Sequence, residues 1–198
     1  MNESQDEKQQ RPIRRIKERL VYRNEYIELY DDDVEFRDGS PGKYVRLVES
    51  NGRPGVAALA ICNNQVGLVK TFRYPVNNWE WGIPRGFGSD PNPDNSMRKE
   101  LDQELGREPD VLERLGVIRP NSGLLAGTVV LYLAHYRVIT EAPKDQEVYE
   151  ILWLPAAELH DWIVDGLIVD AFTLSAVGIG QLSGALSTSV PMTGPSNY

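Results

Sequence analysis

The sequence is poor in the residues that build disulfide and zinc frameworks, with one cysteine and two histidines. A lone Cys62 excludes an intrachain disulfide and fits a reducing compartment. It sits in the apolar run 56–62 and reads as a buried strand residue rather than a reactive thiol. His135 falls in a strand-like stretch and His160 in a helix-like one, without zinc-ligand spacing. No apolar run reaches the roughly 18 residues of a membrane span. Residues 1–10 lack the apolar stretch of a signal peptide, so the expectation is a cytoplasmic protein. Cations are also scarce: 21 Lys and Arg against 29 Asp and Glu, a net charge of −8. That balance argues against nucleic acid or an anionic membrane as the main partner.

Familiar loop motifs are missing too. Gly39-Ser-Pro-Gly-Lys43 is too short for a Walker A loop and has no Ser or Thr after its lysine. Gly178-Ile-Gly180 lies late in a helical stretch with no strand before it, unlike a dinucleotide fingerprint. No nucleophile elbow is present.

At 198 residues, 41% hydrophobic and 25% charged, the chain suits one soluble domain with a small extension. Residues 1–15 read as a disordered tail, 16–54 as a β extension, 55–184 as the main domain and 185–198 as a loose tail. Leu20–Tyr22, Tyr26–Tyr30, Val34–Phe36 and Tyr44–Val48 alternate as strands, with turns at Asp38-Gly39 and Asn51-Gly52. Val56–Cys62 and Gln65–Phe72 form a hairpin across Asn63-Asn64. The Gly-, Pro- and Asn-rich region 73–93 reads as a long loop, which in a compact domain is usually functional. A helix follows over 95–105, with Asp94 as N-cap and Gly106 at C′. Further strands are expected at 111–118, 128–139 and 148–154. A helix opened by Pro155 and closed by Asp165-Gly166 precedes a last helix over 170–182. Strands interleaved with helices imply a mixed sheet covered on both faces.

The segment joining Trp81-Gly-Ile-Pro-Arg-Gly-Phe-Gly88 to Met97–Gly106 carries the chemistry. Glu100 and Glu104 lie one turn apart on one helical face. Unpartnered, such a pair costs roughly a few tenths of a kcal/mol. A divalent cation held between them reverses that sign, and Mg²⁺ favours one or two carboxylates plus substrate phosphate. The pattern points to metal-assisted phosphate chemistry.

These residues resemble a Nudix hydrolase, whose box runs Gly, five residues, Glu, seven residues, Arg-Glu-aliphatic-x-Glu-Glu-x-Gly. Gly86 fits the opening and Lys99-Glu100-Leu101-Asp102-Gln103-Glu104-Leu105-Gly106 fits the helix. Phe72-Arg-Tyr-Pro75, Trp81–Gly86, Val148–Leu159 and Asp165-Gly-Leu-Ile168 resemble the ADP-ribose pyrophosphatase branch, so the likeness covers roughly 16–183. The chain departs from the box in several places. The interval from Gly86 to Glu100 is one residue short, and the first box glutamate is missing, with Asp90 and Asp94 the nearest acids. Gln103 replaces a glutamate, Lys99 an arginine, Gly82 a usual glutamate and Ser122 a usual proline.

The resemblance implies a Nudix-type α/β/α sandwich with a mixed sheet plus a small N-terminal antiparallel β extension that in relatives helps build a homodimer. It implies Mg²⁺ or Mn²⁺ held by Gly86, Glu100 and Glu104, and hydrolysis of ADP-ribose, a nucleotide sugar or a similar nucleoside diphosphate derivative. A solvated helix face neutralised by Arg98 and Lys99 is the plainer alternative for the two glutamates. For the general base, Glu141, Asp145 and Glu147 are candidates, with Glu147 preferred. Arg73 and Arg85 are candidate phosphate clamps, though Arg85 serves equally as an ion-pair partner for the glutamates. Tyr74, Trp79 and Trp81 are candidate base-stacking groups or packing residues. The shortened box leaves a second reading open, a domain that binds nucleotides without turnover.

Overall fold

The computed structural model describes residues 12–139 and 142–186, which form two compact units. The terminal stretches read as tails fall largely on residues 1–11 and 187–198, outside the described residues.

The smaller unit holds residues 12–53 together with 121–127. It is a four-stranded antiparallel sheet of β1 (Ile13–Lys17), β2 (Leu20–Arg23), β3 (Ile27–Phe36) and β4 (Pro41–Glu49). β3 is the spine, pairing with β4 along one edge and with β1 and β2 along the other. The sequence reading divided β3 in two at Asp31-Asp32-Asp33. The structure runs it unbroken, because each of the three carboxylates finds a cation. Asp33 meets Arg19 and Lys43, Lys43 lies 3.7 Å from Asp31, and buried Asp32 accepts from Arg46 Nε at 2.6 Å. Strand β1 likewise extends into the stretch read as tail. Residues 121–127 join this unit through Leu47, whose N–H donates to Leu124 and whose carbonyl accepts from Ala126.

The larger unit is a seven-stranded mixed sheet between helices. Its strands are β5 (Gly55–Cys62), β6 (Gln65–Arg73), β7 (Asn78–Gly82), β8 (Arg85–Gly86), β9 (Val111–Ile118), β10 (Val129–His135) and β11 (Val148–Pro155). The order is β11-β6-β5-β10-β9, with β10 parallel to β5 and the other ladders antiparallel. Asn63 and Asn64 turn the β5–β6 hairpin with φ of 48° and 60°, left-handed values that asparagine tolerates better than most residues.

Period-two alternation sends the two faces of the sheet into separate cores. Val56, Ala58, Ala60, Val130 and Tyr132 pack with Met97, Leu101 and Leu105 of α1 (Pro93–Glu104). Ala57, Leu59, Leu131 and Leu133 pack instead with α2 (Leu159–Val164) and α3 (Ala171–Leu182).

Three expectations need correction. The region 73–93 is not a loop throughout: after a 3-10 turn at Tyr74–Val76, the chain forms β7 and β8. Trp79 and Trp81 alternate there and pair with Phe72 and Lys70 of β6, a short period that the surrounding Gly and Pro obscure. Asp94 is not the N-cap. Asn92 takes that place, its side chain accepting the Asp94 N–H at 3.1 Å, because Pro93 is already set for the first helical position. Pro155 ends β11 rather than opening a helix, and α2 starts at Leu159.

β5 and β6 pair only at Ala60–Cys62 with Gln65–Gly67. Beyond that β7 continues on β6 and β8 on β5, so the segment 83–85 bridges the splayed strands above α1. Leu101 is fully buried in the helix that supports this arrangement. Leu101→Ala is expected to destabilise the chain by about 2–5 kcal/mol in urea unfolding, the range for truncating a buried leucine.

Candidate active site

Met97, Leu101 and Leu105 fix the rotation of α1 by burying one stripe, which leaves Glu100 and Glu104 on the edge facing β8. Glu104 is only 7% exposed, and its Oε2 accepts the Arg85 backbone N–H at 3.1 Å. Glu100 lies against Gly86 so closely that a Cβ there would stand 2.1 Å from its carboxyl carbon. Gly86 is therefore needed for space. Its carbonyl oxygen lies towards β5, 3.4 Å from where a Cβ on Gly55 would be.

Both carboxyls resist ionisation. Burial pushes Glu104 up to about 8, with Glu100 and Asp145 adding to the shift while the Arg85 N–H and Arg73 oppose it. Burial also raises Glu100, assisted by Asp145 and opposed by Lys99. Asp145 comes near because the loop after β10 folds back onto the end of α1. The Lys144 and Asp145 N–H groups donate to the Gln103 carbonyl at 2.8 and 3.0 Å, and Lys144 Nζ pairs with Asp102. Gly106, at φ +80°, leaves room for the Ala142 carbonyl, which a Cβ would approach to 2.2 Å.

The donor set fits a Mg²⁺-like ion. Two carboxylates in a poorly solvated niche gain from a divalent charge that makes ionisation favourable. Among the described residues no group of three or more His, Cys, Asp or Glu side chains is placed to hold a metal ion.

The other candidates divide. Arg85 places Nη1 3.0 Å from Asp170 Oδ1, and its guanidinium lies over the Phe172 ring at 4.3 Å. Burial lowers its pKa, while the charges of Asp170 and Glu104 counter this. Its side chain is thus paired to Asp170, and only its backbone hydrogen-bonds a box glutamate. Arg73 is partly buried, its charge acts on both Glu104 and Arg85, and its Nε has no hydrogen-bond partner. Thr71, two residues earlier on the same strand face, leaves its buried Oγ1 unpartnered as well.

Trp81 packs edge-on against Trp162 in the α2–α3 core, with Lys70 over its ring. Trp79 contacts Phe72 and Tyr149, and Tyr74 is 86% exposed. Glu147 is exposed, and its backbone N–H donates to Asp145. Glu141 lies outside the described residues. Asp94 is engaged by Arg114 and the Tyr132 hydroxyl, and Asp90 accepts from the Asn92 N–H within the loop before α1. Arg98 pairs with Glu108, so it does not neutralise Glu100.

Sequence reasoning missed Asp170 and Thr173, which it took only as the start of a helix. Asp170 caps α3, accepting from the Thr173 N–H and hydroxyl at 2.9 and 2.7 Å. The only trace in the sequence is an aspartate three residues before a threonine at a helix start.

No family model matches the chain. A GDP-mannose pyrophosphatase of Yersinia enterocolitica is 25% identical over 186 residues, covering 88% of this chain and 97% of that protein. The GDP-mannose pyrophosphatase of Yersinia pestis is 24% identical over 184 residues, covering 86% and 92%. A crystal structure of an ADP compounds hydrolase superposes with a TM-score of 0.74 at 18% identity, over 88% of this chain and 96% of that one. That likeness gives the expected α/β/α fold with its mixed sheet.

The raised pKa of Glu104 has a signed consequence for stability. A carboxyl whose folded pKa exceeds its unfolded value of 4.5 contributes stability below about 4.5, lost as pH rises through about 8. Without metal, Glu104→Gln is expected to match wild type near pH 5 and to exceed it above pH 8, by on the order of a few kcal/mol. Urea unfolding in chelator across that range checks this; parallel curves would refute it.

Proposed function

From its relationship to the Nudix hydrolases of the ADP-ribose pyrophosphatase-like branch, we propose that this chain hydrolyses a nucleoside diphosphate linked to another moiety. Water attacks one phosphorus, the bridging P–O bond breaks, and the products are a nucleoside monophosphate and a sugar phosphate. The substrate class is that of GDP-mannose and ADP-ribose. The observation that carries this reading is the pair of buried Glu104 and half-buried Glu100 seated against the Arg85-Gly86 backbone.

Glu100 and Glu104 would hold a divalent cation, Mg²⁺ or Mn²⁺, with Gly86 giving Glu100 its space while its carbonyl lies towards β5. That ion, when bound, supplies charge stabilisation at the diphosphate oxygens and acidifies the attacking water. Arg73, whose charge acts on Glu104, is the candidate clamp for a phosphate oxygen. Asp145 replaces Glu147 as the preferred base, because its charge acts on both glutamates while Glu147 stays outward. Arg85 serves through its backbone and its ion pair, and Trp81 through packing. Tyr74 is exposed and free to meet a base.

A homodimer through the N-terminal strands follows from the family analogy, and a cytoplasmic location from the lone cysteine. The net charge of −8 supports a small-molecule partner rather than nucleic acid, and no helix among the described residues is long and apolar enough to cross a membrane.

Incubation with GDP-mannose and ADP-ribose in Mg²⁺ or Mn²⁺ should release GMP or AMP. Glu104→Gln should lower the rate at least about a hundredfold, the scale for losing a key electrostatic group. Asp145→Asn should lower kcat more than Glu147→Gln. Nucleotide binding without product would instead identify a binding module.

A further inference from the structure

We infer that Asp170 is a positioning residue, whose carboxylate fixes Arg85 and, through the Arg85 backbone, the seat of Glu104; its effect on turnover rests on the diphosphatase reading above. Asp170 is 8% exposed at the N-cap of α3. Its Oδ2 accepts the Thr173 N–H and hydroxyl, and its Oδ1 faces Arg85 Nη1 at 3.0 Å. The Thr173 oxygen in turn accepts the Ile83 N–H at 2.9 Å. Both ends of the segment 83–85 are thereby tied to one carboxylate, Ile83 through Thr173 and Arg85 directly.

Capping does not require this charge. An N-cap needs an acceptor for a backbone N–H, which serine or asparagine also provides. The negative charge is needed by Arg85, a guanidinium withdrawn from water whose partner must compensate the lost solvation. Phe172 lies beneath the same guanidinium, so the first turn of α3 supplies both its charge partner and its platform.

Gly82 completes the arrangement. A Cβ on it would stand 3.2 Å from Asp170 Oδ2 and 3.3 Å from Thr173 Oγ1. The space that a side chain of β7 would fill beside Arg85 is thus taken by the carboxylate from α3. An acid at position 82 is the natural replacement for one lost at 170.

The test uses the full chain, with Asp170→Asn, Asp170→Ser and the double variant Gly82→Asp with Asp170→Ser. Asparagine and serine both keep a cap. Hydrogen exchange at the Arg85 amide reports whether its bond to Glu104 holds, independently of metal or turnover. We expect exchange about ten- to a hundredfold faster in both single variants, with Thr173 amide protection kept and a similar fall in kcat at little-changed KM. The double variant should recover much of the loss. In the wild type, the Arg85 guanidinium should also give separate, slowly averaging NMR signals. Unchanged Arg85 exchange in Asp170→Asn, an equal loss at Thr173 (the mark of a cap alone), or a freely averaging wild-type guanidinium would overturn the inference. Absence of wild-type turnover would remove the diphosphatase reading, yet the exchange and NMR results would still decide the role of Asp170.

Discussion

A buried carboxyl that takes a backbone N–H as its hydrogen-bond partner is the constraint around which the larger unit is arranged. Glu104 lies on the edge of a helix whose other stripe is fully buried, so it cannot turn away without unpacking Met97, Leu101 and Leu105. Gly86 cannot carry a side chain, because Glu100 occupies that space. The chain around Arg85 cannot drift, because Glu104 depends on its N–H. Each restriction alone is modest. Together they preserve a niche in which negative charge is poorly solvated, the condition under which a divalent ion is bound most strongly relative to water.

The splay of β5 from β6 makes this possible. A regular ladder would cover the ends of both strands with hydrogen bonds and leave no segment above α1. By ending their pairing early, the sheet frees its two central strands to take β7 and β8, and the connection between these becomes the wall of the site. The two faces of the sheet carry separate cores. One core holds α1 and its acids, the other holds α2 and α3, and Arg85 with Asp170 links them across the gap.

Much of this was legible in the sequence, and the reasons are particular. The hairpin at Asn63-Asn64, the strand 111–118 and the last helix were readable because local pattern and tertiary role agree there. The two glutamates could be paired from helical spacing alone. β7 was hidden because its period of two spans only five residues amid turn formers, and β3 because three successive aspartates oppose strand propensity until their cations arrive from elsewhere in the fold. The sequence reading preferred Glu147 as base; the proposed preference for Asp145 rests on its approach to the glutamates through two backbone bonds to Gln103, which no side-chain pattern records. Asp170 was invisible for the same reason: its partner Arg85 is brought to it only by the packing of α3.

The niche also couples function to folding. Without a cation, raising the pH forces charge onto a buried carboxyl, and the folded state loses the advantage that the neutral form gave it. A bound cation removes that loss, because it favours the ionised form in the folded state and finds no such pair in the unfolded chain. A cation held there would therefore stabilise most where the empty protein is weakest, at neutral to alkaline pH. The Gln103 side chain is neutral, which limits how much charge must be offset at this end of the helix.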